Sequence, residues 1–519
     1  MKGAAVLLAL AVAAAPAAAC AVDRTLGAGI ARPSAMGAGW SPGDRARLSA
    51  DVDRLLGRAA TLRGAHAGLL VLDSRTGAVL YGRNADDAFA PASTLKLLTG
   101  SAALARLGPT YRFRTRAFLA SPAGAEATVE QGTAHGNLVV RGGGDPFLGD
   151  RDLDGLVGAL RARGVARIEG DVVTDAGRYE TAPYPPGWTW DDFAYGYAAP
   201  VSAASFEQNV VHLTVAPATA PGAAAVVTAA PLRGVVAPCA PGCVASAELR
   251  VQADAVTGAP GSADTVDVER DAAAVIHVRG SIPGGAPPDE LDAAVPEPAT
   301  YLRRAVLQHL ADAGIAVTPP DPAPAARAVL PDRAGGLALW THDGEELRDL
   351  LADMWWPSDN LAAELLLRET AVAAFGEPGT LAHGSALGAA WLRAAGADPA
   401  GATLADGSGL SAYDRLAPRA LAAVLQADWN GPHRDLVIDD LPLAGVRGTL
   451  KSRFGGTLAA KRAFLKTGSM NHTRGLAGYL ATLHHGAVTV AWSVDDWLGN
   501  DADLGAVQGA VLARIIGAP

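Results

Sequence analysis

The stretch Phe89-Ala90-Pro91-Ala92-Ser93-Thr94-Leu95-Lys96-Leu97-Leu98-Thr99-Gly100 constrains this chain more than any other. Pro91 and Ala92 precede an apolar run with helical spacing, which predicts Ser93 on the first turn of a buried helix. Three residues separate Ser93 from Lys96, so a helix presents both side chains on one face. A serine hydroxyl is a weak nucleophile until a neighbour takes its proton, and an unprotonated amine can do that. Flanked by Leu95, Leu97 and Leu98, Lys96 is desolvated, which favours its neutral form. The helix N-terminus also offers a backbone N–H to an oxyanion at an attacked carbonyl.

Lysine usage sharpens this reading. The chain has five lysines (Lys2, Lys96, Lys451, Lys461 and Lys466) among its 43 basic residues, the rest being arginine. Under such a bias, a position that needs only positive charge becomes arginine. A retained lysine points to something arginine cannot do, such as giving up a proton at accessible pH.

Length and composition set the outer bounds. At 519 residues the chain exceeds one ordinary domain, and with 50% hydrophobic residues it can bury a sizeable core. A formal charge of −10 and the absence of a basic block leave no electrostatic footprint for nucleic acid or an anionic membrane surface. Residues 1–19 read as an export signal: Lys2, apolar Ala4–Ala15, then Pro16-Ala17-Ala18-Ala19 before Cys20. The apolar part is too short for an ordinary transmembrane helix. Cys20 directly after small residues also resembles a bacterial lipobox, with Ala17 where leucine is commoner. Both a lipid-anchored and a plainly secreted mature protein fit, and either is extracytoplasmic. In an oxidising compartment Cys239 and Cys243 are expected to close a small loop disulfide. None of the eleven histidines falls in a metal-ligand cluster, so no metal or other cofactor is expected.

Gly, Ala and Pro dominate residues 23–41, which read as a tether. A helix follows from Pro42, with Leu48, Val52, Leu55 and Leu56 on one face. Gly68–Leu72 reads as a strand, Asp73–Gly77 as a turn and Ala78–Tyr81 as the returning strand, leading into the Ser93 helix. More than 250 residues then separate Lys96 from the next chemical motif. Strands are predicted at Arg112–Phe118, Gly136–Arg141, Arg167–Val173 and Val210–Val215, around Val226, and at Leu249–Val251, Val266–Val268 and Val275–Val278. One helix is predicted, at Leu153–Arg163. This stretch reads as β-rich inserted material in two subdomains. Gly142-Gly143-Gly144-Asp145-Pro146 lacks the spacing and the lysine of a phosphate loop and is expected to be a tight turn. Helices follow at Gly344–Met354 and Leu361–Thr370, and strands return at Ala463–Ser469, Gly475–Leu483 and Ala487–Val494, before a closing helix at Leu504–Ile516. The two ends of the chain are thus expected to build one sheet with helices around a middle insertion.

Two further motifs carry chemistry. In Ser358-Asp359-Asn360, Ser358 can relay a proton to a leaving amine, and Asn360 can hold a lysine or a substrate carbonyl. The same residues also suit the N-cap of the following helix. In Lys466-Thr467-Gly468-Ser469, a strand lets substrate lie alongside while hydroxyls and an ammonium meet a carboxylate. A solvent-facing edge strand that ends in a turn would look alike. Retention of Lys466 favours the functional reading.

S-x-x-K, S-D-N and K-T-G in this order are the set found in penicillin-binding proteins and class A β-lactamases. The chain resembles the low-molecular-mass class C penicillin-binding proteins, the D-alanyl-D-alanine carboxypeptidase/endopeptidases of peptidase family S13. His135–Pro146, Tyr195–Ser202 and Asp406-Gly407-Ser408-Gly409-Leu410-Ser411 also look like that family's signatures. The resemblance runs from about residue 45 to the C-terminus, and the long gap between Ser93 and Ser358 separates the chain from class A β-lactamases. It implies an α/β (α+β) penicillin-recognising, β-lactamase-like fold: an antiparallel sheet flanked by helices, with two β-rich domains between the first and second motifs. A catalytic domain would comprise 42–112 and 332–519, after a 20–41 linker. A second domain would comprise 113–140 and 212–331, and a third 141–211.

Carried over by motif, Ser93 would be acylated by the penultimate D-Ala carbonyl of a peptidoglycan stem peptide or cross-link, with Lys96 as its base. Ser358 and Asn360 would assist proton transfer and hold substrate. Lys466 and Thr467, with Gly468 and Ser469 on the same strand, would receive the terminal carboxylate. The backbone N–H groups of Ser93 and Ser469 would form the oxyanion hole. β-Lactams would imitate the dipeptide and leave a long-lived ester on Ser93. Ala412 stands where relatives often carry arginine, and Met470-Asn471-His472 is less typical, which bears on stem-peptide preference. His472 reads as a solvated turn residue. Two other functions fit the same fold: a β-lactamase or esterase with fast deacylation, and a non-catalytic cell-wall scaffold. A scaffold gains nothing from a lysine desolvated beside a serine.

Overall fold

The computed structural model describes residues 29–121, 126–238, 249–319 and 338–519. Residues 1–19, expected to be an export signal, Cys20, and the pair Cys239 and Cys243 lie outside the described residues. Helix α1 (Pro42–Arg58) starts where the sequence places it, with Pro42 in the first turn. Ser41 and Asp44 cap it reciprocally, each side chain accepting from the other's backbone N–H, at 3.2 and 2.9 Å. Leu48, Val52 and Leu56 are buried, and Leu55 packs partly buried against the same cluster.

β1 (His66–Asp73) and β2 (Val79–Arg83) form the predicted hairpin. They join β3 (Ala463–Met470), β4 (Thr473–Ala481) and β5 (Ala487–Asp495) in one five-stranded sheet of order β2-β1-β5-β4-β3. Every pairing is antiparallel, and β1 meets β5 through Val71 and Val490, so the two ends of the chain build one sheet, as expected. Successive side chains point to opposite faces. Leu69 and Val71 enter the core beneath α1 and the closing helix (Asp501–Ile516). Leu70 and Leu72 enter the core shared with the helix that follows Ser93. In β5, bulky Val488, Val490 and Trp492 serve the first face, while Ala487 and Ala491 serve the second. Small residues there let a helix lie close to the sheet.

Helix Pro418–Asn430 lies there, and packed on its far side runs α2 (Leu95–Leu107), preceded by a 3-10 turn over Ala92–Thr94. Around it pack α3 (Leu347–Trp355) and α4 (Asn360–Phe375), both foreseen, and α5 (Leu381–Ala394), α6 (Pro418–Asn430) and α7 (Arg434–Asp440), which were not.

The insertion is β-rich as expected, but it also contains helix Pro298–Asp312, missed between Pro-rich segments, beside the predicted helix at Leu153–Ala162. The expected strand at 167–173 is two strands, Arg167–Glu169 and Val172–Asp175, in different sheets. Pairing also crosses the divisions expected along the chain. Leu138 pairs with Val172 across the boundary at 140/141, and Trp340, assigned to the catalytic part, pairs with Ala117 of the insertion. One apolar cluster runs through the insertion, from Leu119 and Leu138 through Ile168 and Val211 to Ile276 and Leu302. Among the described residues no helix is long and apolar enough to cross a membrane.

Candidate active site

Ser93 is presented by a turn pressed against the sheet. Thr94 closes that turn, its N–H and hydroxyl both donating to Pro91 O at 3.3 and 2.6 Å. Gly468 of β3 pairs with Gly475 of β4, and these two glycines form the seat. A Cβ at Gly468 would lie 2.8 Å from Pro91 O and 3.3 Å from Ser93 N, and one at Gly475 would lie 3.0 Å from Thr94 Cγ2. β3 is an edge strand. Its first half is covered where Leu465 N–H donates to Pro442 O at 2.9 Å, and the stretch beyond passes directly by Ser93. An edge of this kind can add an extended peptide as a further strand.

Lys96 is fully buried in the first turn of α2. Its Nζ donates to Ser93 Oγ at 3.0 Å, Asn360 Oδ1 at 2.5 Å and Ser408 O at 2.8 Å. The 3-10 turn stacks residues three apart more directly than an α-helix does, which brings the two motif side chains into contact. Burial pulls the Lys96 ammonium down to about 8, against the opposing pull of Asp406, Asp359, Glu364 and Asp414.

The second motif divides its labour. Asp359 is the N-cap of α4 and accepts from Ala362 N–H at 2.8 Å, so the capping reading holds for that residue. Ser358 is held at φ +72°, a left-handed conformation that serine rarely adopts. Lys466 Nζ donates to Ser358 Oγ at 2.8 Å and to Thr467 O at 2.9 Å. Lys466 is fully buried, and burial, with the Lys96 charge second, holds its ammonium well below the usual range. Thr467 Oγ1 meets Thr449 Oγ1 at 2.8 Å, while Ser469 is exposed at the end of the strand.

The structure thus links Ser93, Lys96 and Asn360 in one hydrogen-bonded group and Ser358, Lys466 and Thr467 in another, with Gly468 beside Ser93. His472 sits in the exposed β3–β4 turn, its Nδ1 on Trp497 O at 3.1 Å, and Ala412 is exposed. Sequence reasoning missed the Ser408 and Tyr197 carbonyls, the latter accepting from Asn360 Nδ2 at 2.8 Å, because a backbone oxygen has no residue signature. It also missed Thr449, which nothing flagged, and Glu364, an acid inside the apolar run Leu361–Leu367 that could have been noticed. Among the described residues no group of His, Cys, Asp and Glu is placed to hold a metal ion.

Comparison with known proteins gives the geometry its context. The profile of the D-Ala-D-Ala carboxypeptidase 3 (S13) family matches residues 48–512. The chain belongs to this family. A D-alanyl-D-alanine carboxypeptidase of Actinomadura sp. (strain R39) is 32% identical over 449 residues, covering 83% of this chain and 78% of its own. The D-alanyl-D-alanine carboxypeptidase DacB of Haemophilus influenzae is 26% identical, covering 80% and 82%. The fold is that of penicillin binding protein 4 (dacB) from H. influenzae, whose crystal structure matches with a TM-score of 0.75 at 24% identity, covering 90% of this chain and 99% of that one. A second structure of that protein, complexed with a β-lactam, matches with a TM-score of 0.70. This S13 chain is a serine-type D-Ala-D-Ala carboxypeptidase acting on peptidoglycan.

Proposed function

We propose that this carboxypeptidase works through an acyl-enzyme on Ser93, with Lys96 as general base. One observation carries the reading: Lys96 Nζ lies 3.0 Å from Ser93 Oγ while its other two contacts, Asn360 Oδ1 and Ser408 O, can only accept. A neutral amine has two hydrogens and one lone pair. The two carbonyl-type oxygens take the hydrogens, and the lone pair is left facing the Ser93 hydroxyl. Lys96 takes that proton as Ser93 Oγ bonds to the penultimate D-Ala carbonyl carbon. The backbone N–H groups of Ser93 and Ser469 receive the oxyanion. Ser358, against Lys466, passes a proton to the nitrogen of the terminal D-Ala as the peptide bond breaks. Lys466 and Thr467 hold the terminal carboxylate, and water then releases the acyl group.

The same groups suit a β-lactam, whose ring nitrogen is a leaving group tethered to the acyl carbon. Cross-linked stem peptides present an equivalent D-Ala carbonyl, so the site suits endopeptidase action as well. Stem peptides and cross-links lie outside the cytoplasm, and the leader ending before Cys20 suits export, with or without a lipid on that cysteine. The test is release of D-Ala from a stem peptide ending in D-Ala-D-Ala, and cleavage of a cross-linked muropeptide, by the wild type and Ser93→Ala. The wild type is expected to release D-Ala and the variant none. Turnover by Ser93→Ala at the wild-type rate would overturn the reading.

A further inference from the structure

Both oxygens that orient the Lys96 amine are themselves held from the insertion. Ser408 O belongs to the loop Asp406–Ser411, which folds around the fully buried carboxylate of Asp406. Asp406 Oδ1 accepts from the N–H groups of Ser408 and Gly409 at 3.0 and 2.6 Å. Its Oδ2 accepts from Ser411 N–H at 2.7 Å, Ser408 Oγ at 2.9 Å and Trp188 Nε1 at 2.9 Å. That number of donors saturates an ionised carboxylate. The loop is seated against the nucleophile turn: Gly409 adopts φ +81°, and a Cβ there would lie 1.9 Å from Ala92 O.

Trp188 comes from the insertion, and so do the neighbouring contacts. Ser411 Oγ donates to Pro186 O at 2.7 Å, and Ala412 N–H to Gly187 O at 3.1 Å. Eleven residues after Pro186, the Tyr197 carbonyl accepts from Asn360 Nδ2 at 2.8 Å. That bond selects which end of the Asn360 amide faces Lys96, because only the oxygen can accept from the amine. A single inserted segment therefore reaches both of the lysine's orienting oxygens by separate routes.

We propose that the inserted segment Pro186–Tyr197 is a positioning element for the base: Trp188, acting through Asp406 and Ser408 O, and the Tyr197 carbonyl, acting through Asn360, aim the Lys96 amine at Ser93. This rests on the reading of Ser93 as nucleophile and Lys96 as base. The charged groups facing Lys96 are Asp359 and Glu364 from the start of α4, Asp406 and Asp414 from the loop, and Lys466 from β3. Arg368 stands behind Glu364, its Nη1 on Oε2 at 2.8 Å. Burial, and then the Asp406 charge, push the Asp414 carboxyl up to about 10, so Asp414 holds a proton at neutral pH. The insertion thus determines where the catalytic amine points without touching it.

The test is the rate of Ser93 acylation by labelled benzylpenicillin across pH 6–10, for the wild type, Trp188→Phe, Asp406→Asn and Trp340→Phe. Trp188→Phe removes the N–H and leaves a smaller aromatic ring, a loss of volume that Trp340→Phe shares. It is expected to slow the acylation step by about 10- to 100-fold and leave the non-covalent affinity for the drug unchanged. Asp406→Asn is expected to slow acylation similarly and to move the rising limb of the pH profile to lower pH, because it removes a negative charge that holds the proton on Lys96. Trp340→Phe, whose indole packs on Gly155 within the insertion, should behave as the wild type. Wild-type acylation rates in both Trp188→Phe and Asp406→Asn would overturn the proposal, as would slowing by Asp406→Asn with an unmoved limb, which a merely structural role would give. If Asp406→Asn does not fold, Trp188→Phe decides alone: equal losses in affinity and in the acylation step contradict positioning. Absence of any adduct on the wild type would instead remove the underlying reading, and the proposal with it.

Discussion

Lys96 and Lys466 are fully buried lysines in a chain that uses arginine for most of its cations, and scarcity marks them in the sequence. Arginine at position 96 would keep the charge and lose the ability to release a proton. Lys96→Arg is therefore expected to cut the acylation rate by about 10²- to 10⁴-fold, the usual contribution of a general base, as measured by drug-adduct formation. The wild-type rate should climb as pH rises through about 8, where the buried amine loses its proton. Ser358 makes a second residue-scale test. Its φ of +72° stores strain of order 1 kcal/mol that glycine would not pay. Ser358→Gly should lower turnover, because the hydroxyl next to Lys466 is gone, and should not raise the thermal midpoint, since the relief of strain is offset by a buried amine left without that acceptor. The motif side chains that the structure brings together were legible in the sequence, since hydroxyl, amine and amide stand out there by type and spacing. The carbonyls of Ser408 and Tyr197 could not, because their role depends on where the backbone runs.

At the scale of elements, the strands and helices that touch the site were the most legible. β1 and the hairpin of β4 and β5 alternate or run apolar over eight or nine residues, and α2 carries its apolar face beside its lysine. Short inserted strands carry less pattern, and the three-residue Arg167–Glu169 could not be told from its neighbour until pairing separated them. Helix α6 carries a consequence for stability. Its Asp428 is buried and accepts from Ser101 Oγ of α2 at 2.5 Å, and burial raises its carboxyl to about 7. A free aspartate titrates near ~3.9, so the folded chain binds the extra proton between those values. The contribution of Asp428 to stability should therefore fall as pH rises from about 4 to 7, while that of Asp414, raised to about 10, goes on falling above. Asp428→Asn keeps an acceptor for Ser101 and carries no charge. Its thermal midpoint is expected to exceed the wild type's at pH 8 and to fall less between pH 4 and 7. A wild-type midpoint that rises across this window would contradict the account.

For the whole molecule, the insertion is tied to the catalytic helices at several buried points. Glu369 of α4 is buried and accepts from Arg178 Nε and Tyr179 Oη, both at 2.9 Å, and from Tyr111 Oη. Glu369→Gln should cost about 1–3 kcal/mol, the cost of leaving a buried charged group underpaired, and should open the insertion to limited proteolysis before the catalytic part. The sandwich of chain ends around an insertion was legible because hairpin patterns stand at both ends. The partition inside the insertion was not, because the parallel pairings Ala134 with Ile168 and Leu138 with Val172 join segments more than 30 residues apart with no marker at either one. The proposed mechanism makes the assembled molecule a frame for one activated serine. The most direct test is incubation of the intact protein with labelled penicillin, following its mass over time and mapping the label. The account predicts one adduct per chain, on the peptide that carries Ser93, and none on Ser93→Ala. A label on any other residue, or equal labelling of Ser93→Ala, would contradict it.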